Sequence, residues 1–305
     1  MRVVQGLLLL LTVATLAGCS AERSAPEVEP NAAIAVKPTL SFDNIILTES
    51  DQQGKGQLWE LKAKKAEYSR DGKVAMVMGI EGAFFEKGQK TLLVKAREGQ
   101  IQTEARMIIL SGNVEARSVR RKTTFTTQQI RWLPDQNRIE ATGEVILQEP
   151  VQRLTITGNR LEGDLAGNQM TLSGKVTAKA AQRDFTLHAT QAVWNVDQAL
   201  VQAQEITATA LQDSIQAPQA SWDLKRQTLE LTRGLTYQRT RPKLNLMADT
   251  ARWEQQPNRI TAQGNINYRQ GTLQVRGNTA IADLQTGTVE VKGEVNTVLE
   301  AVALR

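Results

Sequence analysis

Ile108-Ile109-Leu110-Ser111-Gly112-Asn113-Val114 alternates apolar side chains around a glycine, and the phrase returns along the chain. Its copies are Ile139-x-Ala141-x-Gly143-x-Val145, Met170-x-Leu172-x-Gly174-x-Val176, Ile260-x-Ala262-x-Gly264-x-Ile266 and Val289-x-Val291-x-Gly293-x-Val295. A looser copy centres on Gly82. Another puts Gln204 in the glycine slot, between Leu200 and Ile206, and a third, around Gly234, shifts its apolar phase by one residue. The anchors at 82, 112, 143, 174, 204, 234, 264 and 293 are 29 to 31 residues apart, and a fixed period of this size marks a repeat architecture. Apolar residues at every second position indicate strands with one buried face. The glycine shares their parity, so the expectation is a long strand bending at a glycine on its inner face.

A second feature precedes four of the anchors. Trp132, Trp194 and Trp253 stand 11, 10 and 11 residues upstream, and Trp222 stands 12 residues before Gly234. Turn-forming residues lie between: Pro134-Asp135-Gln136-Asn137, Asn195-Val196-Asp197, Asp223-Leu224-Lys225-Arg226 and Pro257-Asn258. Each repeat is therefore at least two antiparallel strands. A lone hairpin cannot bury its own face, so neighbouring repeats must stack. No segment shows a sustained helical period, which makes the chain all-β.

The 305 residues are 41% hydrophobic and only 4% aromatic, which suits a thin, extended core of aliphatic residues. Residues 1–19 read as a secretion signal: Arg2, an apolar stretch from Gly6 to Val13 too short to span a bilayer, and Leu16-Ala17-Gly18-Cys19. That ending resembles the bacterial lipoprotein signal, which implies a lipid on Cys19, the only cysteine of the chain. Cleavage there would remove Arg2 and lower the formal charge from +5 to +4. The folded part would then hold no disulfide and would be stable by packing and strand pairing alone. Residues 20–38, with Pro26, Pro30 and Pro38, read as a tether, residues 39–297 as the folded repeats and 298–305 as a tail.

Signals for chemistry are sparse. His188 is the only histidine and falls on the expected wet face, so neither a transition-metal site nor a Ser-His-Asp triad is expected. Carboxylates form no repeated pair that would suit glycosidase chemistry. Arg120-Arg121-Lys122 and the run from Arg239 to Lys243 read as solvated turns, with attraction to anionic lipid head groups as the alternative. Nucleic acid is not expected as a partner of a secreted chain of such modest charge, and no cofactor is expected.

The stretch Leu40-Ser41-Phe42-Asp43-Asn44-Ile45, followed by Gly56-Gln57-Leu58-Trp59-Glu60-Leu61-Lys62-Ala63-Lys64-Lys65-Ala66-Glu67-Tyr68, resembles the N-terminal part of the LptC family of lipopolysaccharide export. The later repeats, such as Asn258-Arg259-Ile260-Thr261-Ala262-Gln263-Gly264-Asn265-Ile266, resemble the unit that family shares with LptA. Two departures stand out: a lipid in place of a transmembrane helix, and more repeats. The resemblance implies an elongated antiparallel β-jellyroll, a V-shaped trough that conducts lipopolysaccharide by its lipid A acyl chains without enzymatic chemistry. It implies a periplasmic location with the anchor in the inner membrane, although Ser20 after the cysteine is not an inner-membrane retention cue. Trough positions would be Ile108, Leu110, Val114, Ile139, Val145, Leu147, Met170, Leu172, Val176, Ile260, Ile266, Val289 and Val291. An N-terminal edge of Phe42, Ile45 and Leu47 would meet an inner-membrane ABC transporter. A C-terminal edge of Val289, Val291 and Val295 would meet an LptA-like protein, both by strand addition. The alternative is a scaffolding β-solenoid lipoprotein with a dry core.

Overall fold

The structure is a computed structural model that describes residues 38–299, apart from 51–56, 87, 120–121, 151–152, 165–166, 181–183, 196, 284 and 287. The signal, Cys19, the tether up to residue 37, most of the tail and the Arg120-Arg121 pair lie outside the described residues, and Pro38, the tether's last residue, opens the first strand. Those described form twenty strands and one 3-10 turn, Pro134–Gln136. They divide into two compact units, one running to Ala141 and one starting at Thr142, with Asp164–Gly167 grouped with the first.

In the N-terminal unit, β1 (Pro38–Ser50), β2 (Gln57–Ser69), β3 (Val74–Glu86), β4 (Gln89–Gln102), β5 (Met107–Ser118) and β6 (Thr124–Leu133) pair antiparallel in chain order. Strand β7 (Arg138–Glu149) spans the division between the units. The C-terminal unit continues with β8 (Leu154–Asp164), β9 (Gln169–Ala180), β10 (Phe185–Asn195), β11 (Leu200–Ala210) and β12 (Asp213–Asp223). Three strands are then interrupted midway: β13 (Thr228–Thr232) with β14 (Leu235–Arg239), β15 (Leu244–Ala248) with β16 (Thr250–Glu254), and β19 (Thr288–Lys292) with β20 (Asn296–Leu299). Between them lie β17 (Arg259–Gln270) and β18 (Leu273–Asp283). Both halves of each interrupted strand pair with the same neighbours, so each acts as one long folded strand.

The phrase folds the strand, by a geometry its parity did not indicate. Gly112, Gly143, Gly174, Gly264 and Gly293 have φ between 74° and 80°, and the residue after each has φ between 44° and 54°. Two left-handed residues in succession reverse the expected orientation, so these glycines face outward at a corner. A Cβ on Gly112 would lie 2.7 Å from the Arg97 side chain, and one on Gly264 would lie 2.2 Å from Asp249; both neighbours are exposed. Glycine is required there for conformation and for space.

Strands that alternate with these, among them β2, β4, β10, β12 and β18, turn the same corner differently. Two residues, all polar but Pro218, intervene between small ones: Ala63-Lys64-Lys65-Ala66, Ala96-Arg97-Glu98-Gly99, Ala189-Thr190-Gln191-Ala192, Ala217-Pro218-Gln219-Ala220 and Gly277-Asn278-Thr279-Ala280. Ala248-Asp249-Thr250-Ala251 does the same across β15 and β16. The glycine strands place three residues there, as in Leu110-Ser111-Gly112-Asn113-Val114. The odd residue appears as a bulge between Lys95 and Glu98, Ser111 and Val114, Ala189 and Gln191, and Gln263 and Ile266.

Three positions differ from the expectation. The corner of β3 is at Gly79, with φ 62°, and not at Gly82, which faces inward against Leu61. In β11 it is Glu205, with φ 49°, that turns rather than Gln204, and no bulge forms. The last strand does not run unbroken from Val289 to Val295; Gly293, Glu294 and Val295 form the corner between β19 and β20.

The core is a seam along the inside of the corners. Ile80, Val114, Val145, Val176, Ile206, Leu235 and Ile266, each the first apolar residue after its corner, are buried. Beside them the pairing sets small residues, as Val176 with Ala189, Ile206 with Ala217, Leu235 with Ala248 and Ile266 with Gly277. Large against small lets side chains interdigitate on the inside of the corner.

Candidate functional site

Each folded strand contributes an arm on either side of the corner, and both arms carry inward rows of side chains. In the C-terminal unit the outermost row of the first arm runs Met170, Trp194, Val201, Trp222, Leu229, Trp253, Ile260, Ala282 and Val289, each paired across to the next. One step nearer the corner the row is mostly small: Leu172, Ala192, Ala203, Ala220, Leu231, Ala251, Ala262, Ala280 and Val291. The large apolar residues therefore line the arm away from the corner, and the small ones lie between them and the seam. This alternation comes from the tryptophans and the alanine slots, which period-two patterning alone does not rank.

Burial grades the expected residues in the same sense. Val114, Val145 and Ile266 are at most 2% exposed and belong to the dry seam. Leu110 and Val176 are also buried. Ile108, Ile139, Leu147, Met170, Leu172, Ile260 and Val291 are half-buried, and Val289, on the terminal β19, is exposed.

The second arm is less apolar. Leu187, Ala208, Ile215, Tyr237, Leu246, Tyr268 and Val275 form one inward row, but the next contains Asp213, Arg239 and Gln270. Arg239 is therefore not part of a solvated turn, as the sequence suggested. It lies in β14 and donates Nε to Asp213 Oδ1 at 2.7 Å and Nη2 to Oδ2 at 3.1 Å. The Tyr237 hydroxyl donates to the same Oδ1 at 2.7 Å. The Arg239 bonds hold the Asp213 carboxyl below its usual range. Burial, and then the bond to Asp213, pushes the Tyr237 phenol up to about 12. Tyr268 donates to Gln270 at 2.5 Å. Sequence reading missed this polar rim because Asp213 and Arg239 are 26 residues apart and only the sheet register joins them.

In the N-terminal unit Leu40, Tyr68, Ala75, Ile101, Ile108 and Trp132 form the corresponding first-arm row. Phe84 lies on the second arm, yet its ring meets Trp132 edge-on at 6.3 Å, so the two arms touch there. Among the described residues β1 pairs only with β2; on it Phe42 and Ile46 are exposed, the Phe42 ring edge-on to Tyr68 at 5.7 Å, while Ile45 and Leu47 are half-buried. Strands β19 and β20 pair only with β18 among the described residues; they expose Val289, Val298 and Leu299, and the corner between them exposes Val295.

Other features offer less. A shallow groove of about 610 Å³ at the corners of the C-terminal unit mixes Glu205, Arg233, Asp249 and Asn265 with seam residues and lies away from the large apolar row. His188 is exposed, with Nδ1 3.2 Å from Thr177 Oγ1. Among the described residues no three His, Cys, Asp or Glu side chains are grouped to hold a metal.

Residues 6–181, more than half of the chain, match a family described as "Lipopolysaccharide-assembly, LptC-related". No curated protein matches. Among solved structures, the chain is similar to LptH, described as the LptA homologous periplasmic component of the conserved lipopolysaccharide transport device from Pseudomonas aeruginosa. That likeness has a TM-score of 0.35 and 11% identity, and covers 39% of this chain and 97% of the other.

Proposed function

The chain belongs to the LptC-related lipopolysaccharide-assembly family, and from that premise we propose that it conducts lipopolysaccharide along its inner face without enzymatic chemistry. The observation that carries this reading is the continuous outer row from Met170 to Val289, most of it half-buried rather than sealed. Acyl chains in water cost roughly 25 cal/mol per Å² of exposed apolar surface. A row of similar apolar side chains lowers that cost at every step without a deep minimum, which suits transit better than storage. Ile108, Ile139, Leu147, Met170, Leu172, Ile260 and Val291 would touch the acyl chains. Leu110, Val114, Val145, Val176 and Ile266 would form the floor.

Edges complete the path. Strand β1, at Phe42, Ile45 and Leu47, would receive lipid from an inner-membrane ABC transporter. Strands β19 and β20, at Val289, Val291 and Val295, would extend into an LptA-like protein. Exposed strand edges pair readily through their backbone. A lipid on Cys19 and the tether of residues 20–38 would hold the chain in the periplasm at the inner membrane.

A photoreactive amino acid at Met170 or Ile260 should yield lipopolysaccharide adducts in cells, and one at the outward Lys175 or Arg259 should not. Equal labelling of both faces, or none, would overturn the reading. The fully buried seam favours a second one, a scaffold whose interior is dry throughout. It expects polar substitution at Ile260 to unfold the protein rather than to exclude lipid.

A further inference from the structure

Trp194 differs from the other tryptophans of its row. It is the most buried of them, at 9% exposed, and its indole Nε1–H has no hydrogen-bond partner. The contrast is Trp253 in the same row, whose Nε1 donates to Asn258 Oδ1 in the following turn at 3.1 Å. The equivalent turn after Trp194 uses its asparagine otherwise: Asn195 Oδ1 accepts the backbone N–H of Gln198 at 2.8 Å. Across the sheet Trp194 pairs with Met170 and Val201, and the neighbouring inward positions are Leu172, Ala192 and Ala203. None of these side chains carries an oxygen or nitrogen acceptor. A buried donor left unmade is costly, and buried polar groups in native proteins are almost always satisfied.

We propose that Trp194 is a lipid-contacting residue whose indole N–H, closed off in the lipid-free structure, is uncovered when a lipid occupies the inner face and donates to a carbonyl oxygen of its acyl linkage, ester or amide. An acyl glycolipid supplies that acceptor at the boundary between its chains and its polar head. The bond would therefore fix the depth at which a chain lies against the row, which the aliphatic neighbours cannot do. The proposal rests on the conduit reading above and adds a point of registration to it.

The test uses the mature chain with its tryptophans labelled with nitrogen-15. In the lipid-free protein the Trp194 indole N–H, assigned by Trp→Phe replacement of each tryptophan in turn, should resonate as a donor without an acceptor. Purified lipopolysaccharide should move it downfield. An alkyl maltoside, which has chains but no carbonyl, should perturb the row without that shift. Trp194→Phe should weaken lipopolysaccharide binding about two- to tenfold, the worth of one hydrogen bond, and leave maltoside binding unchanged. Should that variant fail to fold, assignment by elimination from the other four keeps the wild-type spectrum decisive. An indole N–H already hydrogen-bonded in the lipid-free protein, or unmoved while lipopolysaccharide shifts its neighbours, would overturn the proposal alone. Absence of lipopolysaccharide binding by the wild type would overturn the conduit reading and this proposal with it.

Discussion

At Gly264 a single hydrogen atom decides whether the chain can turn. An alanine would take a left-handed φ of 75° and drive its Cβ into Asp249, whose carboxylate also accepts from Asn265 Nδ2 at 2.9 Å. Gly264→Ala should destabilise by about 2–4 kcal/mol, the conformational strain plus the displaced neighbour. Gly72→Ala, with a similar φ of 69° and nothing near its Cβ, should cost only about 1–2 kcal/mol. Urea denaturation midpoints of the two variants measure the difference; equal losses would mean that crowding at the corner is unimportant. The Asp213 cluster makes a second residue-scale prediction. Tyr237 has its pKa raised in the folded state, so its contribution to stability is complete below pH 10 and is lost as pH rises towards 12. Asp213 is shifted downward, so its contribution is present above the ordinary carboxylate range and is lost on acidification. An absorbance titration should show one of the three tyrosines ionising near pH 12, and Asp213→Asn should bring it back towards 10.

The strands show which parts of the fold period-two patterning reports and which it does not. Repeat length, strand direction and the apolar face were legible because backbone geometry repeats every two residues along each strand. The corners were not, because left-handed residues break that count: Gly82 kept the parity and the spacing, yet the strand turns at Gly79. The small–polar–polar–small quartets of the strands between the glycine strands are in the sequence too, but they look like faults in an alternating pattern. The Phe84–Trp132 contact and the Asp213–Arg239 pair needed register, which a single sequence does not provide. The two kinds of inward position should respond differently to substitution. Ile266→Ala removes a fully buried side chain and should cost about 2–5 kcal/mol, read from thermal or urea unfolding. Ile260→Ala, in the half-buried outer row, should cost less than half as much, because its side chain loses fewer contacts. Equal losses would mean that the outer row is packed as tightly as the seam.

For the molecule as a whole, the consequence is a division of labour across the folded strand. The seam holds each unit together by packing aliphatic side chains against alanine and glycine, and in the proposed reading it is the outer rows that meet lipid. Exposed charge pairs such as Lys95 with Glu81, at 3.1 Å, add about 0–1 kcal/mol each and decorate the outside rather than hold it. Lipopolysaccharide should therefore be removable, or excluded by mutation, without loss of the fold. The most direct measurement is mass spectrometry of lipids that co-purify with residues 20–305 exported to the periplasm without the anchor, compared with its Ile139→Asp variant. The account predicts near-stoichiometric lipopolysaccharide on the first and its loss from the second, with both giving the same β-sheet circular dichroism. A well-folded, lipid-free protein in the first preparation would contradict it.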